Sequence, residues 1–265
     1  MHRAVALVVV LLFSAGASTH EERDSVGFAL SRGRLGGGSE VGTLIAFYMS
    51  NPSEGEVVGN THLTQVGAMD FFDGNLWVAS GRDDKLRFYT IDLDTGKAQL
   101  ESEVEGSFSS GVFGGTFDNE GYFWVLDARK RKIRRLDPAT GEVFHSVQIP
   151  SNVGYNGLAF IDDVLYAVRG ATGDPLQEFG TIDTKRGTFT RIGYTKVGVG
   201  GKGGGNGCGA LDYDVKTGTL YLVYRQGVEK SQRWSVYYID IETGRATFVD
   251  EIKPHGIYDA FAIIR

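Results

Sequence analysis

Ile91-Asp92-Leu93-Asp94-Thr95-Gly96 returns in recognisable form as Leu136-Asp137-Pro138-Ala139-Thr140-Gly141, Ile182-Asp183-Thr184-Lys185-Arg186-Gly187 and Ile239-Asp240-Ile241-Glu242-Thr243-Gly244. A fifth, more divergent copy is Ser50-Asn51-Pro52-Ser53-Glu54-Gly55. In each copy the Asp or Asn side chain can bond nearby backbone and the Gly can supply a positive φ, which is hairpin-turn chemistry. The glycines at 55, 96, 141, 187 and 244 lie 41, 45, 46 and 57 residues apart. That interval belongs to a four-stranded propeller blade.

Working outward, an aromatic-rich strand precedes each turn: Leu76-Trp77-Val78, Phe123-Trp124-Val125, Leu165-Tyr166-Ala167, Leu220-Tyr221-Leu222 and Gly27-Phe28-Ala29. Further upstream runs a strand of small residues, in Gly67-Ala68-Met69-Asp70-Phe71, Gly114-Gly115-Thr116-Phe117, Gly157-Leu158-Ala159-Phe160, Gly209-Ala210-Leu211-Asp212-Tyr213 and Tyr258-Asp259-Ala260-Phe261-Ala262. Small residues suit strands that converge on an axis. The last inner strand has nothing after it, whereas Phe28, Thr43 to Tyr48 and Val57-Val58 have no inner strand before them. The two ends complete one another. The expected fold is therefore all-β, a five-bladed β-propeller whose N- and C-terminal strands share one blade, closing the ring and removing free edges. With strands A to D counted from the axis, A–B and C–D turns occupy one end and B–C and D–A loops the other.

Composition agrees with an ordered globular chain. The 265 residues hold 38 Gly and only 5 Pro, with 42% hydrophobic and 12% aromatic residues. Lys and Arg number 27 against 33 Asp and Glu, a formal charge of −6, which argues against a nucleic-acid partner. His2 and Arg3, the apolar run Ala4 to Phe13 and the small residues Ser14 to Ser18 read as an export signal over residues 1–18, leaving 19–265 as a single domain. The mature chain is expected to be secreted or extracytoplasmic, with no membrane span. Cys208 is the only cysteine, so no intrachain disulfide supports the fold.

Two features of the loop end could carry function. An arginine follows the second strand of every blade, Arg32, Arg82, Arg129, Arg169 and Arg225, three to five residues after that strand's aromatic. A ring of such guanidinium groups offers donor forks to a carboxylate, phosphate or sulfate. Arg34, Lys130 and Arg131 would add to the field, and the glycine-rich loop from Gly198 to Gly209, which contains Lys202, could aim backbone N–H groups at an anion. The competing reading pairs these arginines with Asp83, Asp84, Asp127 and Asp174 of the same loops as surface ion pairs and makes the glycine loop a connector.

The second feature is the channel mouth, where His62, Asp70, Ser109, Asn156, Asn206, Asp212, His255, Tyr258 and Asp259 lie in or just before inner strands. Oxygen ligands of this kind suit a hard divalent cation such as calcium, and a histidine beside a carboxylate can act as a general base. Tyr155-Asn156-Gly157-Leu158-Ala159-Phe160, followed by Leu165-Tyr166-Ala167-Val168, and Asp73-Gly74-Asn75-Leu76-Trp77-Val78-Ala79, resemble repeats of the gluconolactonase/regucalcin and strictosidine-synthase-like propellers. Shorter likenesses extend to NHL-type propellers. In the lactonase group the Asn of an Asn-Gly-Leu-Ala-Phe strand is a metal ligand, so the resemblance implies Asn156, with Asn206 as a looser match. The metal set is then Asn156, Asn206, Asp259 and His255. Those lactonases have six blades and a Glu-Gly-Pro ligand segment, neither of which is found here.

The expectation is thus a secreted binding propeller that recognises an anionic small molecule, a glycan or a protein loop through Arg32, Arg82, Arg129, Arg169, Arg225 and Lys202. A metal-dependent lactonase-like hydrolase at the channel mouth is the alternative.

Overall fold

Short runs of β-branched and aromatic residues, cut by turn chemistry after five to eight positions, form strands throughout the chain. The computed structural model describes residues 24–31, 42–82, 85–104, 108, 112–127, 130–150, 154–170, 177–197, 209–226, 233–254 and 258–264, and only the backbone of Arg82, Phe113, Arg225, Gln226 and Asp259. Blade 5 opens the chain with β1 (Val26–Ser31), β2 (Thr43–Tyr48) and β3 (Glu56–Asn60). Blade 1 follows as β4 (Val66–Phe72), β5 (Asn75–Arg82), β6 (Lys85–Ile91) and β7 (Ala98–Val104). Blade 2 is β8 (Val112–Phe117), β9 (Phe123–Asp127), β10 (Lys132–Leu136) and β11 (Val143–Gln148). Blade 3 comprises β12 (Gly154–Ile161), β13 (Val164–Gly170), β14 (Glu178–Ile182) and β15 (Phe189–Tyr194). Blade 4 comprises β16 (Gly209–Asp214), β17 (Thr219–Gln226), β18 (Arg233–Ile239) and β19 (Ala246–Glu251), after which β20 (Tyr258–Ile263) returns to blade 5.

Each blade is an antiparallel sheet in simple order, and the fifth has the order β20-β1-β2-β3. The C-terminal strand pairs with β1 from Gly27 opposite Ile263 to Ser31 opposite Tyr258. The five-bladed ring closed by both chain ends is therefore present as expected.

The core is not one mass but five, each filling the wedge between two neighbouring blades. Phe88, Phe117 and Phe123 join blades 1 and 2, for example, and Phe47, Phe261, Val223 and Trp234 join blades 4 and 5. Phe117 stacks on Phe72 at 4.7 Å and meets Phe123 edge-on at 4.9 Å, the offset geometries that aromatic quadrupoles favour.

The repeated turns do two jobs. Asp92 accepts the backbone N–H groups of Asp94 and Thr95 and the Thr95 hydroxyl, and Asp183 and Asp240 accept the equivalent N–H groups of their own turns. Gly96, Gly141, Gly187 and Gly244 take φ from +69° to +77°, as hairpin chemistry requires. Each turn then latches onto the outermost strand of the preceding blade. A Cβ on Gly193 would lie 1.9 Å from the Thr243 carbonyl oxygen, and Ser102 donates to the Pro138 carbonyl at 2.6 Å. The fifth turn departs from the pattern: residues 52–54 form a 3-10 turn and Gly55 is extended at φ −67°. Its glycine is needed for contact instead, since a Cβ there would come within 2.3 Å of the Lys253 carbonyl oxygen.

Candidate functional site

Inner strands meet around an axis lined by Gly67, Ala68, Met69, Gly114, Gly115, Leu158, Ala210, Leu211, Ala260 and Phe261. The cavity they leave is about 10 Å3, room for about one water molecule. Close strand approach explains the small residues: a Cβ on Gly67 would stand 2.0 Å from the Val112 carbonyl oxygen. Among the described residues this cavity is apolar and nearly filled, with no room for a ligand larger than water.

Asp70 and Asp212 are buried in the inner strands and belong to the frame. Asp70 accepts the N–H of Phe71 at 2.7 Å, the N–H of Phe117 in the next blade at 2.6 Å and the Thr116 hydroxyl at 3.0 Å. Asp212 accepts from Tyr213 at 2.7 Å and from Ile263 in the next blade at 2.6 Å. At the same register position blade 2 has Thr116, whose hydroxyl accepts the Phe160 N–H at 3.3 Å, while blades 3 and 5 have Ala159 and Ala262. Three polar side chains thus serve the five corresponding inner-strand N–H groups. Where an alanine offers no acceptor, the following blade's Asp turns one oxygen back to its own neighbour. The expectation of Asp70 and Asp212 as channel-mouth ligands gives way here to backbone bonding, because a buried N–H must be paired.

Blade 3 holds Asn156 and Arg169, the members of the two expected sites whose side chains are described. Asn156 is the bulged residue of β12, between Tyr155 opposite Arg169 and Gly157 opposite Val168. Its amide donates to the Gln177 side-chain oxygen at 2.9 Å. Gln177 is 2% exposed and lies across Gly170, where a Cβ would meet its amide at 2.3 Å. The Gln177 carbonyl in turn accepts the Thr195 N–H at 2.9 Å. Asp259 occupies the corresponding bulge in β20, since Leu30 pairs with Ala260 and Ser31 with Tyr258.

Arg169 donates its Nε–H to Glu178 at 2.6 Å and lies 3.9 Å over the Phe189 ring. Glu178 also accepts from Arg191 at 3.1 Å. Burial disfavours the charged carboxylate, but the hydrogen bonds from Arg169 and Arg191 outweigh it and hold Glu178 below the ordinary glutamate range. Burial likewise raises the Tyr155 phenol above its ordinary value. Arg169, the ring arginine whose side chain is described, is therefore engaged by a glutamate rather than by an aspartate of its own loop.

Arg169 pairs with Tyr155, Arg225 with Trp234, and Arg82 ends β5 opposite Lys85. Counted from Tyr166, Tyr221 and Trp77, they stand at the third, fourth and fifth positions, so similar sequence spacing does not give them one register position. Arg32, Arg129, Lys202, Asn206 and His255 lie outside the described residues, as do Ser109, residues 1–18 and most of the glycine loop. Among the described residues no three His, Cys, Asp or Glu side chains converge as a metal site would require.

No protein-family model matches the chain, and no curated protein matches it. Solved structures do resemble it. A protein of unknown function from Bacteroides caccae is 14% identical, with a TM-score of 0.51 over 91% of this chain and 99% of that one. A Bacteroides fragilis protein provisionally assigned as a 6-phosphogluconolactonase is 10% identical, with a TM-score of 0.52 over 94% and 100%. A chain of the nidogen/laminin complex is 12% identical, with a TM-score of 0.53 over 91% and 98%. The likeness is one of fold. The five-bladed propeller agrees with the sequence expectation. Among the described residues no helix is long and apolar enough to span a membrane.

Proposed function

We propose that this propeller is an exported binding protein whose loop end recognises an anionic ligand, either a small molecule, a glycan or an acidic protein loop. The nearly closed axial passage carries this reading, because it leaves the end rim, where B–C and D–A loops gather, as the surface available to a ligand. Arg82, Arg129 and Arg225 supply guanidinium groups there, with Lys202 and Arg32 in adjoining loops. Arg169, already committed to Glu178, frames the rim. Protein binding has a fold-level parallel in the chain from the nidogen/laminin complex. Export follows from the leader-like residues 1–18.

The test is an anionic-glycan array probed with wild type and with Arg82→Ala/Arg129→Ala/Arg225→Ala. Loss of binding in the triple variant is the expected result, and retained binding rejects the arginine assignment. N-terminal sequencing of exported protein should begin near residue 19.

A metal-dependent hydrolase is the second reading, supported by the shared bulge position of Asn156 and Asp259, which brings both to one level around the axis. His255 and Asn206 would complete the set. Elemental analysis of purified protein, followed by thermal unfolding with and without calcium, decides it. A protein without bound metal and with no calcium-induced shift removes this reading.

A further inference from the structure

Register separates the rim arginines by what stands opposite them. Arg82 faces Lys85 across its strand pair and Arg225 faces Trp234, whereas Arg169 faces Glu178. Of these three, only the arginine of blade 3 is set against a carboxylate. One row of paired residues crosses the whole blade at this level, from Tyr155 through Arg169 and Glu178 to Tyr194. Cross-strand partners share a sheet face, which is why these side chains meet.

Glu178 is gripped by two guanidinium groups, taking the Arg169 Nε–H at 2.6 Å and an Arg191 N–H at 3.1 Å. That is the reception a carboxylate, phosphate or sulfate of a ligand would meet. Neither arginine depends on Glu178 for its position. Arg169 lies 3.9 Å over the Phe189 ring, and Arg191 lies 4.7 Å over the Tyr194 ring and donates to its hydroxyl at 2.5 Å. The pair also reaches solvent, with the Arg169 side chain 22% and that of Glu178 20% exposed, so an anion in water can approach it. Because the two arginines hold its carboxyl below the ordinary glutamate range, Glu178 stays charged near neutral pH.

We propose that Glu178 is an autoinhibitory contact, an internal carboxylate that occupies Arg169 and Arg191 until an anionic ligand displaces it. This inference rests on the anionic-ligand reading above and adds the regulation of that site. A partly exposed ion pair is weakly held, so an anion with several acceptor oxygens can exchange with it. The aromatic stacks keep both guanidinium groups in place for the incoming anion. Blade 3 then joins the rim only when Glu178 has been moved aside, and the other arginines make the first contact.

The probes are a galacturonate oligosaccharide, which carries carboxylates, and a sulfated heparin oligosaccharide, each titrated calorimetrically against the exported chain. Glu178→Gln keeps the shape and removes the charge, and it should bind the better of the two probes roughly fivefold tighter than wild type does. Glu178→Ser, which shortens the side chain, should gain as well and guards against a fault peculiar to one variant. Arg169→Ala should change affinity by less than about twofold in the wild-type background but cancel most of the gain in the Glu178→Gln background. Glu103→Gln removes an equal charge from the blade 1 pairs with Lys85 and Arg87, and should leave affinity within about twofold of wild type. An equal gain from Glu103→Gln, or a gain at Glu178 that survives Arg169→Ala, would assign the effect to net charge and overturn the proposal. If wild type binds, loses binding with Arg82, Arg129 and Arg225, and Glu178→Gln gains nothing, this proposal fails while the loop-end reading stands. If neither wild type nor Glu178→Gln binds either probe, both fail.

Discussion

Asp70 shows how a residue that looks chemical can be architectural. Its two oxygens take backbone N–H groups from two blades, so Asp70→Ala strands the Phe71 and Phe117 amides and the Thr116 hydroxyl in a buried setting. The expected cost is about 2–5 kcal/mol, read as a lowered urea midpoint, with Asp70→Asn milder because it keeps one acceptor oxygen. A variant as stable as wild type would show that these bonds are dispensable. Phe117→Ala, in the wedge between blades 1 and 2, should cost about 3–5 kcal/mol on the same scale. From sequence, Asp70 reads as one of the channel-mouth oxygens suited to a cation. Its true role depends on which N–H of the next strand falls opposite, and that is a matter of inter-blade register. Asn156 has the same history: its partner Gln177 is 21 residues away and reaches it only because Gly170 leaves the path open.

Turns are the element whose role was most legible, because Asp, Thr and Gly at fixed offsets carry their own geometry. The same chemistry nevertheless recurs at Asp214-Val215-Lys216-Thr217-Gly218, where it joins β16 and β17 rather than an outer pair, with Gly218 at φ +69°. Spacing, not the motif alone, identified the outer turns. Bonds from Thr95 and Thr243 hydroxyls lead in holding Asp92 and Asp240 below the usual 3.8, and the Arg186 N–H leads at Asp183. Depressed carboxyls stabilise the fold above their unfolded pKa and lose that contribution as pH falls through the lower folded values. Urea midpoints should therefore be steady from about pH 7 to 5 and then drop on acidification. Asp92→Asn/Asp183→Asn/Asp240→Asn should flatten that acid limb; an unchanged limb would assign it to other groups. Gly193→Ala, which drives a methyl into the Thr243 carbonyl of the adjoining turn, should cost roughly 1–3 kcal/mol.

At the scale of the molecule, blade number and closure were readable because they follow from counting strands at both ends of the chain. The site was less so, since ring arginines with similar spacing fall at different strand positions, and only register separates them. Five wedge-shaped cores in place of one mean that no blade is buried on both flanks until its two neighbours are present. Deleting residues 258–265 removes the inner strand of blade 5, exposes an edge of β1 and opens the wedges on either side. Such a chain should elute as soluble aggregates on size exclusion and bind a hydrophobic dye, whereas a monomer with native elution would deny the closure its importance.

The seam between β1 and β20 also sets an order of events during synthesis. A ribosome delivers β1 early and its partner β20 late, so the opening strand must wait with one flank bare while more than two hundred residues are made. A chain that cannot finish its circle before release stays open until its tail has been made, which is the condition that the export proposed above would need of it.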